Sequence, residues 1–209
     1  FYTRFTRLDN GLVETSNLYL TLVDWHLNSG DSLHSLFDAN VTYERLFEPF
    51  EISPGVVLPA GEYHFTPWRI FFTSAQKRRV QGSIGFNFGN FWSGTAKMIQ
   101  TGLSYKFPPY FSISLNTNQT FAVLPQGSFI ARIYSSRVDY AASPFLSVSS
   151  LIQFDNRSEN LGLQSRVRWT IEPGNDVFFI FGQGWVQDLE RGYDFRRQDS
   201  RLAMKFQYT

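Results

Sequence analysis

The side chains able to do chemistry are few and scattered. The chain has 3 His and no Cys, so it lacks a thiolate metal site, a cysteine nucleophile and a disulfide framework. His26, His34 and His64 do not fall into His-Glu-x-x-His, and no Gly-x-Ser-x-Gly elbow occurs. Glu62 and His64 share one strand face, but no further ligand is evident, and a solvated strand end accounts for them better than a metal. Asp188, Glu190 and Asp194 carry the oxygen chemistry for Ca²⁺. Arg191, Arg196 and Arg197 stand among them, however, and ordinary loop ion pairs are the better reading. Gly82, Gly85, Gly89 and Gly94 precede no helix, so they are no phosphate-binding fingerprint. In strands, glycine marks a bend or a close approach. No catalytic residue, metal site or cofactor is expected in this segment, and whether the protein is an enzyme stays open.

What remains is a set of polar residues alternating with apolar ones. Leu161, Leu163, Val167, Trp169 and Ile171 fall on one face of their segment, and Gly162, Gln164, Arg166, Arg168 and Thr170 on the other. Leu202, Met204, Phe206 and Tyr208 alternate likewise with Arg201, Ala203, Lys205 and Gln207, as do Phe111, Ile113 and Leu115 with Ser112, Ser114 and Asn116. A period of two means strands with one apolar and one polar face. The binding candidates on the polar face are Arg69, Asn116, Arg137, Asp139, Gln164, Arg166, Arg168, Arg201 and Lys205. Beside them stand His34, Asp38, Asn40, Thr42, Glu44, Gln81, Asn87, Asn118, Gln153 and Asp155. Such groups can select solutes by charge or hydrogen bonding. In a narrow barrel the default role is to fill the interior, charges on neighbouring strands compensating one another.

The elements that position these residues can be read from composition and turns. Aromatics are 18% of 209 residues, with 22 Phe, 10 Tyr and 5 Trp, and charged residues are also 18%, below the roughly 25% usual in soluble domains. Disorder is excluded by that aromatic content. No run approaches the about 20 apolar residues of a membrane-spanning helix. A net charge of +1 provides no general attraction to nucleic acid. No cleavable signal peptide is visible and Phe1 is an odd translation start, so a piece of a longer protein is expected.

Turn signals divide the chain into about twelve strands: 1–9, 12–26, 32–46, 61–74, 79–90, 94–106, 110–123, 127–140, 144–155, 160–172, 176–188 and 198–209. These exceed the about five or six residues of soluble strands and cover the about 9–11 that cross a bilayer at a tilt. The long connections, 47–60 and 189–197, fall at one end of the strands, and the short ones, such as 27–31 and 173–175, at the other. Outer-membrane barrels have this asymmetry. Phe47, Phe50, Tyr63, Trp68, Phe91, Trp92, Tyr105, Phe107, Tyr110 and Phe111 sit near strand ends, either as an interfacial girdle or packed beneath loops. The expected fold is all-β: an antiparallel transmembrane β-barrel with about twelve strands visible over 1–209, with room to be part of a larger barrel.

Three segments support that expectation from another side. They are Glu44-Arg45-Leu46-Phe47-Glu48-Pro49-Phe50, Leu58-Pro59-Ala60-Gly61-Glu62-Tyr63, and Leu151 to Asn156 continuing through Arg166-Val167-Arg168-Trp169 to Val177-Phe178. With the closing Lys205-Phe206-Gln207-Tyr208, they resemble the C-terminal barrel of a bacterial family of uncertain function. Its members join a carbohydrate-binding family-nine-like domain to an outer-membrane β-barrel. The resemblance spans Leu12 to Thr209. It implies the outer membrane of a Gram-negative bacterium, with membrane lipid and the barrel-assembly machinery as partners and a glycan as a candidate solute. It supplies no catalytic residues. The chain departs from the family in lacking the upstream domain and a terminal aromatic residue. The expected function is porin-like passage or binding of a solute. The alternative is a membrane anchor for an upstream periplasmic glycan-binding or hydrolytic domain. A soluble all-β binding protein is a third reading, disfavoured because its rings would crowd a small core.

Overall fold

The computed structural model describes residues 2–188 and 194–208, with the side chains of residues 35–37 and 188 outside the description. Every regular element among them is a strand. The strands are β1 (Tyr2–Thr6), β2 (Val13–Leu20), β3 (Val23–His26), β4 (Ser32–Leu46), β5 (Phe50–Ser53), β6 (Val56–Leu58), β7 (Gly61–Phe65), β8 (Pro67–Thr73), β9 (Val80–Phe91), β10 (Gly94–Phe107), β11 (Phe111–Leu124), β12 (Gly127–Ser143), β13 (Leu146–Asp155), β14 (Asn160–Glu172), β15 (Asn175–Asp188) and β16 (Asp194–Gln207).

The main sheet runs β1-β2-β4-β8-β9-β10-β11-β12-β13-β14-β15-β16, with β3 and β7 both paired to β4. Its path has the twelve positions expected from the alternation, and β4 and β14 have the expected limits. Two expected strands are interrupted. The 12–26 stretch breaks into β2 and β3, and 61–74 breaks before Pro67, which has no backbone N–H to continue a ladder. The 47–60 connection is itself a hairpin, β5 against β6. Its turn is Ser53-Pro54-Gly55-Val56, where Pro presets the first central residue and Gly55 supplies a φ of 79° at the second.

The sheet is open, which corrects the expectation of a barrel visible within this chain. Among the described residues β1 pairs only with β2, and β16 only with β15. Closure would require both edges to find partners. Along β16 all 14 residues are exposed, with Leu202 at 80% and Phe206 at 66%.

On β9 and β10 burial is inverted relative to a soluble sheet, whereas on β14 Gln164, Arg166 and Arg168 are exposed and Leu161, Leu163 and Val167 half-buried. On β10 the apolar Ile99, Leu103, Tyr105 and Phe107 are exposed, while Gln100, Ser104 and Lys106 on the opposite face are half-buried. On β9, Val80, Ile84 and Phe86 are exposed, and Gln81, Ser83 and Asn87 are half-buried.

Contacts divide the chain into two units. The first comprises residues 1–77, 83–101 and 118–131 and holds an apolar core of Val56, Leu58, Tyr63 and Leu124. Leu46, Ile52, Phe65, Phe91, Trp92 and Phe129 pack around it. The Tyr63 hydroxyl donates to the Pro59 carbonyl at 2.6 Å, and its ring meets Trp92 edge-on at 5.3 Å. Tyr63, Phe91 and Trp92 are therefore packed with the β5–β6 hairpin, the second of the two roles expected for rings at strand ends. The second unit comprises residues 78–82, 102–117 and 132–209. There β12 to β16 form a continuous antiparallel ladder.

Candidate functional site

In the second unit, strand register decides which polar residues share a face, because residues directly opposite one another point to the same side. One row is Arg137, Leu151, Gln164, Gly182 and Arg201. The next is Asp139, Ser149, Arg166, Ile180 and Ala203. A third pairs Ser147 with Arg168, Phe178 and Lys205. Seven of the nine candidates thus lie on one face. Asn116 joins them by alternation from Ser112, whose hydroxyl reaches Asp139 Oδ2 at 3.5 Å.

These groups are largely compensated. Arg137 Nε donates to Asp139 Oδ2 at 3.0 Å, and Ser149 Oγ donates to Asp139 Oδ1 at 2.6 Å. Arg168 holds Asp176 through Nε and Nη2 at 3.1 and 3.0 Å, with Thr170 Oγ1 on the same carboxylate at 2.5 Å. Arg201 is 3.8 Å from Asp199. Arg166 makes no ion pair among the described residues; its guanidinium lies 5.7 Å from the centre of the Phe178 ring. With Lys106, Arg137 and Asp139 it lines a concavity of about 410 Å³. Gln164 lines a separate one of about 340 Å³ with Gln153 and Asp155.

The first unit contains a different site, around the ninth candidate. Asp38, Arg69 and Asn87 stand opposite one another on β4, β8 and β9. Beside them run Ala39, Trp68 and Phe88, and Tyr19 on β2 faces Asn40. Together with Phe65, Phe91, Met98 and Thr120 these residues line a cavity of about 330 Å³, within the range of small-molecule sites. The Arg69 guanidinium lies 4.9 Å from the Phe71 ring centre. Asp38 and Asn40 each keep a side-chain Oδ1 buried without a hydrogen-bond partner. Buried acceptors left this way are costly unless a water or a ligand group satisfies them. By alternation Trp68 and Phe88 lie on the other face, where Phe88 stacks on Phe86, and the rings that share the face of Asp38, Asn40, Arg69 and Asn87 are Tyr19 and Phe65.

β8 and β9 approach closely at Gly89, whose φ is 131°. A Cβ there would come within 2.9 Å of the Thr66 carbonyl oxygen. The expected close approach is also present at Gly85 and Gly94, and absent at Gly82.

Glu62 and His64 have ordinary partners: Arg45 Nη2 donates to Glu62 at 2.6 Å, and the His64 ring lies 4.9 Å from Tyr43. The Asp188, Glu190 and Asp194 grouping falls partly outside the described residues. Sequence reading missed Tyr19 as a cavity wall. It also did not see that Asp24, His26 and His34 converge, although Asp24 and His34 are equally distant from Ser29 at the centre of a turn. No protein-family model, no curated protein and no solved structure matches the chain.

Proposed function

We propose that the chain is part of an outer-membrane β-barrel that binds or passes a polar solute, with a glycan best suited to its cavity. The observation that carries this reading is the inverted burial on β9 and β10, apolar side chains outward and polar ones half-buried. Apolar surface exposed to water on this scale is unfavourable, whereas the same surface against lipid is what a membrane barrel needs. The open edges β1 and β16 call for further pairing to close the barrel. The resemblance of residues 44–63 and 151–178 to a family that joins a glycan-binding domain to a barrel supports both the location and the solute class. The buried unpaired acceptors of Asp38 and Asn40, on the face of Arg69, support the binding site.

The test uses the complete reading frame, expressed with its native leader in a Gram-negative host. Recovery in the outer membrane with a boiling-dependent shift in gel mobility is expected, and recovery as a soluble periplasmic protein would sink the membrane reading. In proteoliposomes, oligosaccharide uptake should fall several-fold in Asp38→Ala and Arg69→Ala. Uptake indifferent to both would leave the barrel as an anchor for an upstream domain.

A further inference from the structure

Two of the three histidines meet at one hairpin in the first unit. Asp24 and His26 flank Trp25 on β3 and so share a face. β4 returns antiparallel, with Trp25 opposite Leu33 and His26 opposite Ser32. The register then shifts between Trp25 and Val23, an irregularity of the kind that re-aims side chains beside sites. The turn is held firmly. Leu27 N donates to the Asp31 carbonyl at 2.9 Å, Gly30 N to the Leu27 carbonyl at 2.8 Å, and Ala75 N to Asp31 Oδ1 at 2.8 Å. At this platform Asp24 Oδ1 lies 2.7 Å from His34 Nδ1 and 3.4 Å from His26 Nε2. The two imidazoles meet edge to face at 4.8 Å, and one donor atom from each of the three residues lies within 4.8 Å of the others.

We propose that Asp24, His26 and His34 bind a divalent transition-metal ion of the Zn²⁺ class and leave one coordination position open to solvent. Two imidazole nitrogens and a carboxylate oxygen are the donor set of three-ligand zinc sites. Metal–ligand distances of about 2.0–2.2 Å at tetrahedral angles place donors about 3.3 Å apart. The His26–Asp24 separation already has that value. The Asp24–His34 contact must open by about half an ångström, and His26 and His34 must draw together. The side chains are partly exposed, at 45% for Asp24, 65% for His26 and 37% for His34, so they have room to turn and an ion can enter. A hard cation such as Ca²⁺ is a poor fit, since it takes six or more oxygens. An exposed carboxylate–imidazole pair contributes little to folding, and the convergence of a third donor on a pinned turn is not needed for one. The inference stands apart from the membrane reading.

The purified folded chain is dialysed to equilibrium against ZnSO4, beside Asp24→Asn, His26→Gln and His34→Gln and the control His64→Gln. One Zn²⁺ per chain is expected, with Kd weakened more than tenfold in each of the three variants and unchanged in the control. No binding to the parent chain would overturn the proposal, as would binding that the three variants leave intact or that His64→Gln abolishes. A second measurement needs no variant. Co²⁺ added to the parent chain should give the intense visible bands of a four-coordinate site, whereas only the weak bands of octahedral Co²⁺ would count against it.

Discussion

Leu58, inside the β5–β6 hairpin, shows how much one residue can matter in a protein with little core. It is fully buried among Val56, Tyr63 and Leu124, and the other described strands offer few comparable sites. Leu58→Ala should cost about 2–5 kcal/mol, the range for emptying a packed leucine site. Leu202→Ala, at a position 80% exposed on β16, should cost under about 0.5 kcal/mol in the chain outside a membrane. Denaturant titration followed by tryptophan emission measures both, since Trp92 lies against the Leu58 cluster. Arg168 and Val167 are neighbours with opposite tasks. From alternation alone Arg168→Ala is expected to be tolerated better than Val167→Arg. The structure adds that the substitution strips two of three hydrogen bonds from the carboxylate of Asp176. It should lower the unfolding midpoint without blocking assembly.

At the scale of elements, two glycines in similar strands should respond oppositely to alanine. A Cβ on Gly94 would collide with the Val123 carbonyl oxygen and come within 2.9 Å of Leu124 Cα. The obstacle is the backbone of β11, which cannot swing aside as a side chain can. Gly94→Ala should destabilise by about 1–3 kcal/mol. Gly162 on β14 has nothing within 4 Å of its Cβ position, so Gly162→Ala should be neutral or gain up to about 1 kcal/mol. Equal shifts in the two unfolding midpoints would contradict this account of β10 against β11. Strand limits were largely legible because alternation over ten or more residues is a strong signal, as at β4 and β14. The β5–β6 hairpin was not, although Phe50, Ile52, Val56 and Leu58 alternate around Pro54-Gly55. Three- and four-residue strands carry too few repeats of the pattern to stand out from a loop.

For the whole molecule, Val167→Arg tests the proposed membrane reading and its assignment of faces. Val167 is opposite Phe179 on β15 and Val148 on β13, a row of apolar side chains. An arginine there should disfavour insertion by about 2–4 kcal/mol, seen as loss of the heat-modifiable band. If Val167→Arg assembled normally while Arg168→Ala did not, the faces would be reversed. The amino-acid sequence by itself determined the strands and the polarity of their faces, because alternation follows from local backbone geometry and needs no partner. It also supplied the polar candidates of the second unit, since runs such as Gln164, Arg166 and Arg168 share a face by alternation alone. Only the tertiary structure decided which strands the sheet leaves unpaired, which arginines are neutralised, and which residues meet. Asp38 with Arg69, and Asp24 with His34, are brought together by register. Register is set by bulges, prolines and turns acting together across strands, and no single segment carries it.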